Sequence, residues 1–273
     1  MSSSVNLYDN FYDNFSARVL EQVRAETYGE DVGQSSWMTA EELDRFIELL
    51  RLKSSSNLLE IGSGSGGPAL YVARKTKCRV TGLDVNEFGV RNANELAAKH
   101  SLDERAHFQL ADASQPLPFG DETFDAIVSN DVMCHVPKRS EVLREWHRVL
   151  KPGGRMLFTD AMVITGIVSH EEIATRSSIG RYFYLPRGEN ERLIEEAGFE
   201  LILSDDVTAN AAMVAQRWHD ARVKHSEDMI RIEGKENFEG LQKFLSCVHI
   251  ISREGRVSRY LYVGRKPTSE TQR

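Results

Sequence analysis

Three acids, a run of glycines and one histidine are spaced so that they could act together. Glu60 lies in LLEIGSGSGG, Leu58 to Gly67, where an apolar run meets a loop carrying Gly62, Ser63, Gly64, Gly66 and Gly67. Glycine lets a backbone turn sharply and approach a ligand, and the helical pattern opening at Pro68 offers unpaired N–H groups; the stretch reads as strand, turn and helix around a nucleotide. Asp84 ends CRVTGLD, and a carboxylate there can accept from both hydroxyls of a ribose, with Val85 beside it. Asp112 ends the next strand pattern, His107 to Ala111, where it could accept from an adenine amino group while Ala113 offers an N–H to a ring nitrogen.

The spacing leaves two cofactor classes open. Gly62, Gly64 and Gly67 fit the G-x-G-x-x-G of dinucleotide folds, and Gly62, Gly64 and Gly66 fit the G-x-G-x-G of S-adenosylmethionine folds. Past the fourth strand, FDAIVS, come Asn130, Asp131, Val132, Met133, Cys134 and His135. His135 is placed to serve as a general base, and Asp131, four positions earlier, would orient its imidazole if the segment turns helical.

Positioning these groups requires alternating strands and helices. Strands are expected at 58–61, 78–84, 107–111, 124–129 and 155–159, separated by helices at 68–75, 87–100 and 140–150, which implies a doubly wound, mostly parallel sheet with helices on both faces. A helix at 187–197 and a strand at 199–204 follow. Roughly fifty residues then precede a last strand near 260–264, too many for a plain loop. Val214, Trp218, Ala221, His225, Met229 and Ile232 recur at helical spacing, so 208–232 reads as one amphipathic helix and 238–251 as a second. His225 fits a packed helix face better than a ligand contact. At the front, Tyr8, Phe11, Tyr12, Phe15, Val19 and Val23 form a helical stripe over 7–24. Next comes a loop over 27–38 whose Gln34, Ser36 and Trp37 could fold over a ligand, and Thr39 with Glu42 has the spacing of a capping box.

Taken together, LLEIGSGSGG, Asp84, LADASQPLPFGDETFD (Leu110 to Asp125) and LKPGG (Leu150 to Gly154) resemble the class I S-adenosylmethionine-dependent methyltransferases, in family order over about 110 residues. The resemblance implies a Rossmann-like, seven-stranded α/β domain spanning 1–273: an N-terminal helical cap (1–53), a cofactor-binding core (54–204), a helical insertion or lid (205–253) and the last strand (254–266). It implies S-adenosylmethionine as methyl donor and S-adenosylhomocysteine as product, with Gln34, Trp37, Glu60, Gly62, Ser63, Gly64, Gly66, Asp84, Val85, Asp112, Ala113 and Asn130 around the donor. The outer regions are similar to enzymes that methylate phosphoethanolamine, or sarcosine and dimethylglycine. That likeness pairs His135 with an N-terminal tyrosine, Tyr8 or Tyr12, and puts acceptor contacts among Asp160, Arg181, Tyr182 and Tyr184. A cationic acceptor would rely on Asp160, an anionic one on Arg181.

The expected reaction is methylation of nitrogen or oxygen on a small metabolite, an amine first. O- or C-methylation of a natural product or quinone-like acceptor, a non-catalytic S-adenosylmethionine-binding protein and an NAD-dependent oxidoreductase are the alternatives. A net charge of -7 over 273 residues argues against a broad phosphate-binding surface. No motif of enzymes that methylate nucleobase amino groups follows strand four. Cys78, Cys134 and Cys247 have neither metal-ligand nor disulfide spacing, and no apolar run suits a signal peptide or a bilayer span. The expectation is a cytoplasmic monomer or homodimer with no metal, nucleic-acid or membrane partner.

Overall fold

The computed structural model describes Tyr12 and residues 14–268. Tyr8, Phe11 and the start of the aromatic stripe lie outside them. The elements run α1 (Arg18–Tyr28), α2 (Ala40–Leu50), β1 (Asn57–Ile61), α3 (Gly67–Thr76), β2 (Arg79–Asp84), α4 (Glu87–Lys99), β3 (Ala106–Leu110) and β4 (Phe124–Ser129). After a 3-10 turn at Met133–His135 come α5 (Arg139–Val149), β5 (Leu150–Ile164), α6 (His170–Arg176), β6 (Leu185–Pro186), α7 (Glu189–Glu196) and β7 (Glu200–Asp206). The chain finishes with α8 (Thr208–Lys224), α9 (Ser226–Glu233), α10 (Lys235–Arg253) and β8 (Val257–Arg265).

Seven strands lie in the order β3-β2-β1-β4-β5-β8-β7, and the two-residue β6 adds an eighth against β5. The sheet from β3 to β5 is parallel, and β8 is antiparallel to both of its neighbours. Strand order reverses between β1 and β4, which opens a crevice beyond their carboxyl ends. Because β7 and β8 run antiparallel, their connection starts and ends at that same carboxyl edge, and α8 and α10 reach the crevice through Trp218 and Phe244. Two apolar cores fill the faces of the sheet, one around Phe46, Leu58 and Leu261, the other around Trp146, Phe158 and Tyr262. A third joins α1 to α8 and α10 through Val23, Trp37, Val214, Trp218 and Phe244.

Several boundaries differ from the sequence reading. Within the 7–24 stripe Tyr12 is helical, residues 14–17 are not, and helix α1 starts at Arg18 and runs on to Tyr28, into the expected loop. The single helix expected over 208–232 breaks at His225, whose backbone (φ -105, ψ 26) leaves helical geometry and whose Nε2 meets Glu26 at 2.9 Å. The helical spacing of apolar residues continues across this break. Strand β5 is longer than 155–159 and takes in the LKPGG turn, where Gly153 (φ 78) donates its N–H to the Lys266 carbonyl. The Thr39 capping box forms only by half: Thr39 accepts from the Glu42 N–H, but the Glu42 carboxylate turns inward to Arg259. A reciprocal box closes instead at Ser169 and Glu172, opening α6.

Candidate active site

The glycine loop leaves β1 pinned to β2, with the N–H groups of Gly62 and Ser63 both donating to the Leu83 carbonyl. Gly62 (φ 76) and Gly64 (φ 51) adopt left-handed backbone, and a Cβ at Gly62 would collide with Val132. Side chains at these points would close the approach between loop and β4 exit. Asp84 then accepts from the Gly64 N–H at 2.7 Å and from the Asn86 N–H at 2.8 Å. Burial raises its carboxyl above the ordinary range, partly offset by these bonds. Glu60, buried behind the loop, is pushed up to about 8, first by burial and then by the charge of Asp84. Its Oε2 and the Ser63 hydroxyl are buried with no hydrogen-bond partner among the described residues.

One cavity of about 620 Å³ connects this loop to the cap. At its glycine-loop end it is lined by Gln34, Glu60, Gly62, Ser63, Gly64, Asp84, Val85, Asp112 and Ala113. Two of these are already engaged elsewhere: the Gln34 amide bonds Val32 and Glu30 in its own loop, and Asp112 accepts from Ser114, which lowers its pKa. Tyr12 packs on Gly64 near Ser35, Asp84 and Glu60, and burial raises its phenol strongly. At the cap end the lining is Trp37, Met133, His135, Ala161, Arg176, Ile179, Tyr182, Trp218 and Phe244.

His135 is half-buried on the 3-10 turn, with its ring 4.4 Å from the Tyr182 ring. Its Nδ1 lies 2.9 Å from the Arg181 carbonyl; a carbonyl only accepts, so Nδ1 carries the proton and Nε2 the lone pair. Desolvation holds the imidazole below its usual value, and it is neutral at neutral pH.

Asp131 does not orient this ring by a hydrogen bond. Only 133–135 turn helical, and Asp131 itself sits at φ 57, so its carboxylate points the other way: Oδ1 bonds Arg259 Nε at 2.8 Å and Thr159 Oγ1 at 3.0 Å, and Oδ2 accepts from the Trp37 N–H at 3.2 Å. Asn130 joins the same network through Arg259 Nη2 (2.9 Å), Thr159 Oγ1 (2.9 Å) and Ser36 Oγ (2.6 Å). Arg259 also forks onto Glu42 at 2.8 Å, and it is 1% exposed.

Of the expected acceptor contacts, only Tyr182 lines the cavity. Asp160 is fully buried in an ion pair with Arg139, and it also accepts from Asn190 Nδ2 at 3.0 Å and the Met162 N–H at 2.9 Å. Tyr184 bonds Ser177 Oγ, and the Arg181 guanidinium lies over Phe183. Among the described residues Tyr182 packs on His135, Tyr12 lies against the glycine loop, and the alternative Tyr8 lies outside the described residues. None of the buried arginines was singled out from the sequence, and two of them, Arg176 and Arg259, bear on the site. Arg259 had a signal, a lone charge inside the apolar run Val257–Gly264; Arg176, at the end of the short polar stretch His170–Arg176, had none.

The lining suits an adenosyl sulfonium. A glycine cradle that a Cβ would fill and a carboxylate at the end of β2 offer a close backbone approach and negative charge to a cationic nucleoside, with the unpartnered carboxyl of Glu60 buried behind them.

Comparison with known proteins agrees. The family described as "Methyltransferase domain" matches residues 59–158. The 27-O-demethylrifamycin SV methyltransferase of Amycolatopsis mediterranei is 32% identical over 213 residues, 74% of this chain and 75% of that protein. Phosphoethanolamine N-methyltransferase 3 of Arabidopsis thaliana is 28% identical over 203 residues, which are 74% of this chain but 40% of that protein. Among solved structures, phosphoethanolamine N-methyltransferase 2 of Haemonchus contortus, bound to phosphomonomethylethanolamine and S-adenosylhomocysteine, superposes with a TM-score of 0.80 at 19% identity, covering 96% of this chain and 60% of that one. The cyclopropane synthase MmaA2 of Mycobacterium tuberculosis gives the same TM-score of 0.80 at 18% identity, covering 97% and 96%. Likeness at such identities establishes the fold.

Proposed function

As this chain belongs to the class I S-adenosylmethionine-dependent methyltransferases and acts on small molecules, we propose that it methylates a hydroxyl of a largely apolar acceptor, with His135 as the base. The observation that carries this reading is the cap end of the cavity, where aromatic and aliphatic side chains surround a neutral imidazole and, among the described residues, no carboxylate is left unpaired. A cationic amine would need such a carboxylate. Asp160, within β5, and Asp131, just past β4, are both neutralised by buried arginines.

S-adenosylmethionine, when bound, supplies a methyl carbon with an already activated leaving group. The chain's own part is to hold the acceptor in line, exclude water and accept one proton. Alignment falls to the aromatic wall of Trp37, Tyr182, Trp218 and Phe244. Proton acceptance falls to His135 Nε2, since the Arg181 carbonyl holds the opposite nitrogen as donor. Desolvation favours the neutral base before reaction, and the Tyr182 ring at 4.4 Å fixes the imidazole's plane. Glu60 and Asp84 are the residues that would face the donor's positive charge and ribose.

The test uses labelled methyl groups on S-adenosylmethionine with a panel of hydroxyaryl acceptors and their matched amines, and the bond formed is read by mass spectrometry. Ether products from the wild type, with turnover lowered at least tenfold in His135→Ala at unchanged S-adenosylmethionine affinity, support the reading. Turnover of the amines alone, or full activity of the variant, overturns it.

A further inference from the structure

Five arginines of the described chain are almost completely buried: Arg24, Arg139, Arg176, Arg222 and Arg259. Four are neutralised, by Asp31, Asp160, Glu233, and Glu42 with Asp131. Arg176 is the exception. It is 2% exposed, makes no ion pair or hydrogen bond with any described residue, and keeps Nη1 buried and unpartnered. Its guanidinium carbon lies 5.5, 5.0 and 5.0 Å from the ring centroids of Trp37, Tyr182 and Phe244.

Stacking explains how the cation is tolerated, but it engages only the faces of the guanidinium. The N–H donors lie in the plane, at its edge, and a buried donor left unmade is costly. The guanidinium lies in the wall of the cavity, and the Tyr182 ring that it covers is the same ring that packs on His135. The unpartnered Nη1 donor, buried in the wall of an apolar chamber that also holds His135, is complementary to an anionic oxygen that reaches it.

We propose that Arg176 is an acceptor-recognition residue that binds an anionic oxygen, a carboxylate or an ionised phenol or enol, carried by the apolar acceptor near its methylated position. This rests on reading the cap end as the acceptor site. It adds a charge requirement, so that an acidic aromatic compound is preferred to its neutral counterpart.

The experiment measures binding, independently of turnover, to enzyme saturated with S-adenosylhomocysteine. The probes are 2-naphthoate, naphthalene-2-carboxamide and 1-nitro-2-naphthol, titrated at pH 8 by isothermal calorimetry and by the fluorescence of Trp37 and Trp218. The wild type should bind at least one of the two anions roughly tenfold or more tightly than the neutral amide, as a charge-assisted bond in a dry site gives. Which anion gains identifies carboxylate or phenolate as the source. Arg176→Met should abolish the gain and leave amide binding within threefold, whereas Arg176→Lys should retain part of it. Equal binding of anions and amide to the wild type, or binding of none of the three, overturns the proposal even if the methionine variant fails to fold. An equal loss of all three probes in Arg176→Met also overturns it, since that is the signature of packing alone. Failure of the proposed methylation would appear in the labelled-methyl assay and leave these ratios untouched.

Discussion

Glu60 provides the sharpest quantitative test of the donor end. Its carboxyl is 6% exposed and sits beside Asp84, whose charge is held by two backbone N–H groups. Burial and that neighbour move its pKa from 4.5 to about 8 in the fold. Between those values the folded protein keeps a proton that the unfolded chain releases, so the unfolded state binds fewer protons and stability falls as pH rises. Conversion of the interval gives a ceiling of roughly 5 kcal/mol lost across the window, at about 1.36 kcal/mol per pH unit. Glu60→Gln keeps the shape and removes the titration. Urea unfolding without ligand should find wild type and variant within about 1 kcal/mol at pH 5, and the variant more stable by roughly 2–5 kcal/mol at pH 8.5. Saturating S-adenosylmethionine should narrow the pH 8.5 gap, because the cationic ligand favours the ionised carboxylate. Parallel pH dependences of the two proteins without ligand would refute the argument, since they would mean that Glu60 ionises in the fold as easily as in water.

Three further outcomes are expected. With His135 held below 6.5 by desolvation, kcat/KM for the acceptor at saturating S-adenosylmethionine should fall on the acid side of 6.5, a limb that a pH-rate profile of the wild type must show and that His135→Ala must lack. Arg259→Met strands Glu42 and Asp131 as uncompensated buried acids, so urea unfolding at pH 7 should show a loss of about 3–5 kcal/mol, against a null expectation of under 1 kcal/mol for an exposed pair. Asp84→Asn turns one of two accepting oxygens into an amide donor facing a backbone N–H, so ligand-free urea unfolding should show a loss of about 1–3 kcal/mol, while calorimetry records at least a tenfold loss of S-adenosylmethionine affinity.

The donor end was legible because its chemistry is written in consecutive residues. A glycine that must adopt positive φ and an acid that must end a strand leave marks at fixed spacing, and Gly62, Gly64 and Asp84 occupy the places their types demand. The acceptor end is assembled from residues distant in sequence. Asp160 looked available from its strand-end position; its neutralisation depends on Arg139 and Asn190, which no local pattern connects to it. Glu42 looked like half of a capping box for the same reason, and its partner lies 217 positions away. Arg176 is the extreme case, since a lone arginine in the last turn of a helix is ordinary until α10 and the Trp37 loop are packed over it.

The position of His135 follows from a local strain and from what holds it. Asp131 occupies left-handed backbone (φ 57), uncommon for a residue with a side chain, and such conformations persist when the surroundings over-determine them. Here the surroundings are polar contacts from three separate elements: Thr159 of β5 receives the Asp131 N–H at 2.8 Å, Arg259 of β8 binds its carboxylate, and the Trp37 loop donates to the other oxygen. Apolar packing could bury this corner but would not fix its direction, because dispersion contacts tolerate rotation that hydrogen bonds do not. The reversal at Asp131 sets Val132 against Gly62 and brings Met133 and His135 into the cavity wall. The same arginine reaches Glu42 on α2, so α2, the last strand and Asp131, four residues before the base, share one charge network. Displacement of α2 would remove Glu42 from Arg259, the residue that holds Asp131 at the head of the turn carrying His135. That coupling would keep the base correctly aimed only while α2 is seated on the sheet.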